Sequence, residues 1–166
     1  MDAPFRRTLV TPIGTLGLEA TEDALVAVIW APEVPARFAE HGAGSSPLLD
    51  RAAAELGRYF RGETVRFTVP LSPAPSPFQQ AVREALLDVP FGEVRSYGWL
   101  AARIGRPKAA RAVGAALGAN PLPIIVPCHR IVASDGSLGG FGGGLDTKRT
   151  LLAHERRVAE AGKENP

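Results

Sequence analysis

The chain holds one cysteine, Cys128, set between a proline and a histidine in Pro127-Cys128-His129-Arg130 at the end of the apolar run Ile124-Ile125-Val126. A lone thiol has no internal disulfide partner, and an isolated cysteine commonly serves as a small buried hydrophobe. Here a turn-forming proline precedes it, and an imidazole and a guanidinium follow. Positive charge or a base beside a thiol lowers its pKa, so Cys128 is expected to be an activated nucleophile. Further on, Leu151, Leu152, Glu155 and Val158 share one helical face, which turns Glu155 toward the core. A buried carboxylate is costly without a partner, and an imidazole is a natural one. His129 is the candidate, whereas His154 falls on a neighbouring face and is expected at the surface. Cys128, His129 and Glu155 then form a nucleophile, a base and an orienter. Neighbouring residues of an ideal strand point to opposite faces. The Cys-His pair therefore needs a turn at Pro127, with a bridging water as one way to join them. Tyr97 adds a phenol that can donate a proton.

Composition limits the classes open to such a site. With 166 residues, 45% of them hydrophobic and 22% charged, the chain is globular in type. It contains no run approaching the roughly eighteen apolar residues of a membrane span, and Met-Asp-Ala-Pro-Phe-Arg-Arg is not a signal-peptide core. A cytoplasmic protein with no membrane association is expected, and one cysteine suits a reducing compartment. That count also excludes a thiolate-rich zinc site, so no metal is expected. Residues 1–75 carry seven Lys/Arg against nine Asp/Glu, and residues 76–166 carry twelve against eight. Between Glu93 and Asp135 there is no acidic residue, but Arg95, Arg103, Arg106, Lys108, Arg111 and Arg130 all fall there. Such an interval is either a solvated face or the footprint of a polyanion partner. Cys128 lies inside it.

The elements that must position these residues read as an α+β fold in two units. Phe5–Val10, Thr15–Ala20 and Ala24–Trp30 are the strands of an antiparallel meander. Ser46-Pro47 caps a helix carrying Leu48, Leu49, Ala52, Ala53, Leu56, Tyr59 and Phe60, which Gly62 ends. Val65–Val69 is expected to return as a strand, and His41 to lie exposed in a loop. Residues 1–70 thus form a small N-terminal unit, and the proline-rich stretch 71–76 is the linker. In the mainly helical second unit, 77–158, Ser76-Pro-Phe-Gln79 is a capping box, and Phe78, Val82, Leu86 and Val89 follow on one face. Pro90-Phe-Gly-Glu93 closes that helix. A helix-turn-helix pattern occupies about 96–117: Ser96 caps a helix through Leu100 and Ile104, Gly105-Arg-Pro107 breaks it, and a second runs from about Lys108 to Leu117. The outer face of the second helix is Ala and Gly, with Lys108 and Arg111 at its start. That face either lets the helix approach a nucleic-acid groove or reflects alanine's helix propensity. Gly139-Gly-Phe-Gly-Gly-Gly144 is read as a shaped loop around Phe141. Asp146 is expected to cap the last helix, and 159–166 to be a tail.

These residues carry a resemblance. Arg95-Ser-Tyr-Gly98, Ala110-Arg-Ala-Val-Gly114, Asn120-Pro, Ile125-Val-Pro-Cys-His-Arg130 and Leu152-Ala-His-Glu155 are similar to the motifs of the O6-alkylguanine-DNA alkyltransferases, in that family's order and spacing. Thr11-Pro-Ile-Gly14 extends the likeness over nearly the whole chain. The resemblance implies a ribonuclease H-like N-terminal unit, and suicidal transfer of an alkyl group from guanine O6, with thymine O4 as a further candidate donor, to Cys128 without a cofactor. It implies that His129, held by Glu155 and acting through water, deprotonates Cys128, that Asn120 braces the loop, and that Tyr97 protonates the leaving purine. Arg111 would enter the base stack, and Lys108, Ala112 and Arg130 would also meet double-stranded DNA, with the helix pair in the minor groove. Tyr97, Pro123, Ile131, Phe141, Gly142 and Gly143 would line the base pocket. Flipping is required because a stacked base is out of reach of a thiol in a pocket. A monomer is expected, with cooperative assembly on DNA left open. Some relatives bind zinc in the N-terminal unit, which this chain cannot do through cysteines. Phe141 and Gly142 replace the tyrosine and serine of other relatives. Two further classes compete: a lesion-binding protein that recruits other repair factors without repairing, against which the cysteine argues, and a cysteine hydrolase.

Overall fold

Thr11 builds the first turn of the chain: its hydroxyl donates to the Gly14 carbonyl at 2.6 Å and accepts from Ile13 N at 3.2 Å. Gly14 sits at φ 105°, which glycine takes at no steric cost. The turn joins β1 (Phe5–Thr11) to β2 (Gly14–Ala20), and Thr21 caps the next turn into β3 (Leu25–Ile29). The three strands form an antiparallel sheet in the order β1-β2-β3. Helix α1 (Pro47–Phe60), capped by Ser46 through a 3.1 Å bond from Leu49 N, buries Leu49, Ala52, Ala53, Leu56 and Tyr59. The structure describes residues 5–30, 34, 38, 44, 46–63, 66–141 and 143–164, and is a computed structural model. His41 lies outside the described residues, as does Gly142.

One strand expectation fails. Residues 66–69 form no strand, because Thr68 N and Val69 N donate to the Glu55 carboxylate at 2.9 and 3.1 Å rather than to a neighbouring strand. The return to the sheet is a single bridge between Leu71 and Leu25, flanked by bonds from Leu25 N to Pro70 O and from Ser72 N to Leu25 O.

The chain divides into two compact units between Ser72 and Pro73. In the second, α2 (Pro77–Leu87) is capped by Ser76, whose hydroxyl accepts from Gln79 N at 3.1 Å. Val82 and Leu86 on its inner face are buried, as is Val89 just beyond its end. The two-residue strand β4 (Arg95–Ser96) leads directly into α3 (Tyr97–Arg103), capped by Ser96. Gly105, at φ 78°, turns the chain toward α4 (Ala110–Gly118). β4 pairs in parallel with β5 (Ile131–Val132), Arg95 opposite Ile131 and Ser96 opposite Val132. This short ladder brings the start of α3 beside the segment that leaves Cys128. The last helix, α5 (Leu145–Glu164), corrects two expectations. Asp146 lies inside its first turn instead of capping it, and residues 159–164 continue the helix where a tail was expected.

Candidate active site

Pro127 sets the approach to the thiol. Its φ of −80° and ψ of 64° form an inverse γ-turn, closed by Cys128 N donating to Val126 O at 2.8 Å. A 3-10 turn over Cys128–Arg130 follows, so the three side chains fan out instead of alternating across a strand. The loop before it is held under constraint: Ile124, buried and β-branched, sits at φ 74°, a conformation that costs about 1–3 kcal/mol. Asn120 supplies part of the compensation. Its amide donates to Val126 O at 3.0 Å while its carbonyl accepts from Leu122 N at 3.1 Å, spanning both sides of Ile124.

Helix α5 packs on this turn through one face, Lys148, Leu151 and Glu155. His129 is fully buried and its Nε2 lies 2.6 Å from Glu155 Oε2. Arg130 donates to the same carboxylate from Nε at 2.8 Å and from Nη2 at 3.1 Å, and Gly92 N donates to Oε1 at 3.2 Å. Burial alone would raise the Glu155 pKa, but the His129 contact and then the Arg130 bonds hold it well below the usual carboxylate range. Burial pushes His129 down, against the pull of Glu155, with Arg130 and Lys148 adding to the decrease. With the ring desolvated and Arg130 already neutralising the carboxylate, the neutral imidazole beside ionised Glu155 is the consistent state. The acceptor Glu155 then requires the proton on Nε2, which leaves the lone pair on Nδ1. That nitrogen is buried and has no hydrogen-bond partner among the described residues.

Cys128 is 6% exposed. Its environment departs from the activated thiol expected above: burial pushes its pKa up, and the opposing effects of the Asn120 side chain and the Lys148 charge are smaller. Arg130, adjacent in sequence, spends its charge on Glu155. The thiol is therefore protonated at neutral pH and depends on a base to become nucleophilic. It forms part of the wall of a cavity of about 350 Å³ shared with Tyr97, Phe141 and Gly140. Ala110, Gly114, Leu117 and Gly118, along one face of α4, make up the rest of that wall. The Tyr97 pKa is raised by burial and by the nearby Cys128, against a hydrogen bond from the Gly140 backbone.

Most of the expected residues converge, and some do not. Cys128, His129, Glu155, Asn120 and Tyr97 gather around one turn. Arg111, Ala112 and Lys108 are exposed at the start of α4. Arg130 is the clear correction: it is buried, its Nη1 also donates to Val89 O at 2.8 Å, and it cannot reach a partner outside the fold. Pro123 and Ile131 are buried and Gly143 is half-buried, and none of the three is among the cavity's lining residues, whereas Phe141 is on the wall. His154 is half-buried, not fully at the surface.

The sequence reading passed over Lys148. It is 1% exposed, donates from Nζ to Ile131 O at 2.6 Å and lies 6.0 Å from the centre of the Phe141 ring. Its spacing held the signal, since it stands two helical turns before Glu155 on the same face.

Comparison with known proteins settles the family. The model of the 6-O-methylguanine DNA methyltransferase DNA binding domain matches residues 77–157, and that of the same family's ribonuclease-like domain matches residues 5–73. The chain belongs to the 6-O-methylguanine DNA methyltransferase family. Within this family, it is 46% identical over 158 residues to a methylated-DNA–protein-cysteine methyltransferase of Mycolicibacterium paratuberculosis, covering 93% of this chain and 94% of that one. The Haemophilus influenzae protein of the same name is 40% identical over 158 residues, covering 94% and 88%. Among solved structures, Mycobacterium tuberculosis OGT in complex with DNA superposes with a TM-score of 0.83 at 42% identity, over 93% of this chain and 94% of that one. The fold class expected from sequence, a small antiparallel unit followed by a mainly helical one, is that of the methyltransferase family.

Proposed function

We propose that the chain repairs alkylated DNA by direct reversal, moving the alkyl group of O6-alkylguanine irreversibly to Cys128, one event per molecule. The observation that carries the reading is the buried Glu155–His129 pair: it leaves Nδ1 as a base with no hydrogen-bond partner among the described residues, on the residue that follows the chain's one thiol, and that thiol lines a cavity bounded by a helix of a helix-turn-helix. His129 Nδ1 takes the thiol proton, directly or through a water. Sγ attacks the alkyl carbon, the carbon–O6 bond breaks, and its electron pair returns to the purine, which takes a proton from Tyr97. The proton held by His129 then returns through solvent to the Tyr97 oxygen, so S-alkylcysteine and guanine are the net products and no cofactor is consumed.

Duplex DNA with the target base flipped into the cavity is the substrate form, because the cavity wall and the thiol are both recessed. Of the six basic residues in the acid-free interval, Arg95 and Arg103 pair with Glu93 and Asp88, Arg106 lies over Phe78, and Arg130 is buried. Among the described residues, Lys108 and Arg111 remain as exposed cations of that interval without a side-chain partner. Both stand at the start of α4, whose Ala/Gly face suits the minor groove. Arg111 fills the space left by the flipped nucleotide, and Lys108 meets phosphate. Among the described residues no helix is long and apolar enough to cross a membrane.

Stoichiometry separates this reading from a hydrolase. With excess O6-methylguanine duplex, repair should plateau at one lesion per protein molecule; continued turnover would exclude it. Arg111→Ala should slow repair in duplex by about tenfold or more while leaving reaction with free O6-alkylguanine base nearly unchanged, since unstacking costs a few kcal/mol. Equal losses on both substrates would remove Arg111 from flipping.

A further inference from the structure

The turn that ends α2 touches the site at three points. Its closing bond runs from Glu93 N to Pro90 O at 3.1 Å, with Gly92 at φ 83°. A side chain there would be strained, and its Cβ would stand 2.8 Å from Ala159 Cβ on α5. Gly92 therefore packs its backbone directly on the helix that carries Glu155, and its N–H reaches Oε1 at 3.2 Å. Three residues earlier, Val89 O accepts from Arg130 Nη1 at 2.8 Å. Between them the Phe91 ring centre lies 5.6 Å from the Arg130 guanidinium carbon. A carbonyl, a ring and an amide from one turn thus hold the two residues that set the charge next to His129.

We infer that the Val89–Gly92 turn is a positioning element for alkyl transfer: by clamping Arg130 against Glu155 it keeps His129 neutral, with the base lone pair on Nδ1. The inference rests on reading Cys128 as the alkyl acceptor. Glu155 and Lys148 face His129 from α5, and Arg130 and Cys128 lie beside it on its own turn. Of these Glu155 favours the imidazolium, while Arg130 and Lys148 oppose it. Loosening Arg130 leaves Glu155 less neutralised, so His129 binds a proton at higher pH and the base is lost sooner on acidification.

The test uses the full chain and Gly92→Ala, with two readouts. The first is the titration of the His129 ring by NMR, which needs no alkyl donor. The second is the pH profile of Cys128 alkylation by free O6-benzylguanine base. In G92A the His129 titration and the acid limb of the rate should both move up by about half a unit or more, so the rate on the acid limb should fall about threefold while the rate at pH 7 changes little. Adding Ala159→Gly gives the new methyl room and should move both readouts back toward wild type. Should G92A fail to fold, Phe91→Leu, which leaves the turn backbone alone, should produce the same shifts at smaller size. Folded variants with wild-type titration and pH profile, however reduced in stability, would confine the turn to folding and overturn the inference. A wild-type protein that takes no alkyl group on Cys128 would instead sink the functional reading, and the NMR titration would still decide the clamp.

Discussion

Each unit of this protein buries a glutamate on a helix, and the two are put to different uses. Glu55 on α1 accepts from Thr68 N, Val69 N and the Thr68 hydroxyl at 2.9, 3.1 and 2.7 Å, so it serves as a strut for a segment that would otherwise lack a place on the sheet. Glu155 on α5 also takes a backbone amide, but its other partners are the His129 ring and the Arg130 guanidinium. The first set of contacts ends in the backbone and hydroxyl of one segment and in the exposed Arg51 guanidinium. The second leads through an imidazole, on the residue that follows Cys128, to a nitrogen with no hydrogen-bond partner among the described residues. A buried carboxylate alone says little about function; what lies beyond its partners decides.

That contrast can be broken at several points. The largest effect should come from Cys128→Ala, which should abolish alkyl transfer while lesion binding, followed by gel shift, persists. Residual transfer would place the acceptor elsewhere. Next, Glu155→Gln should slow transfer on the order of a hundredfold, since it removes the group that orients the general base. Glu55→Gln should leave the rate per folded molecule unchanged and lower stability by about 1–3 kcal/mol in denaturant melts. If the two variants behaved alike, the comparison would fail.

The sequence made the site legible more completely than the fold around it. Cys128, His129, Glu155 and Tyr97 could be found because their chemistry is carried by residue type and by helical spacing, which survive without knowledge of tertiary contacts. Arg130 could not be placed that way. Its charge suggested a surface, and only packing showed that Val89, Phe91 and Glu155 enclose it. The same holds for the thiol, whose basic neighbours in sequence implied a lowered pKa, while burial prevails in space. The strand expected at 65–69 failed for a related reason, since alternation cannot reveal that a distant carboxylate takes Thr68 N and Val69 N.

Smaller effects sharpen the comparison further. Asn120→Ala removes both hydrogen bonds spanning strained Ile124, and should reduce the transfer rate by about tenfold, roughly the worth of one lost bond. A wild-type rate would show that the loop holds its shape without the amide. The mildest test is pH. The folded His129 pKa lies below its ordinary 6.5, so the folded state binds fewer protons than the unfolded chain. Its contribution to stability is present above pH 6.5 and is lost as pH falls below it. Melting temperature should drop as pH falls below 6.5, and transfer should weaken at lower pH still, once the folded base is protonated. An acid limb centred above pH 7 would contradict a neutral, desolvated His129.

The most direct measurement is the mass of the protein itself after incubation with duplex DNA carrying O6-methylguanine, followed by peptide mapping. One added methyl group on the peptide containing Cys128, with guanine restored in the DNA, is the predicted result. An unmodified protein beside unrepaired DNA, or a methyl group on any other residue, would contradict the account.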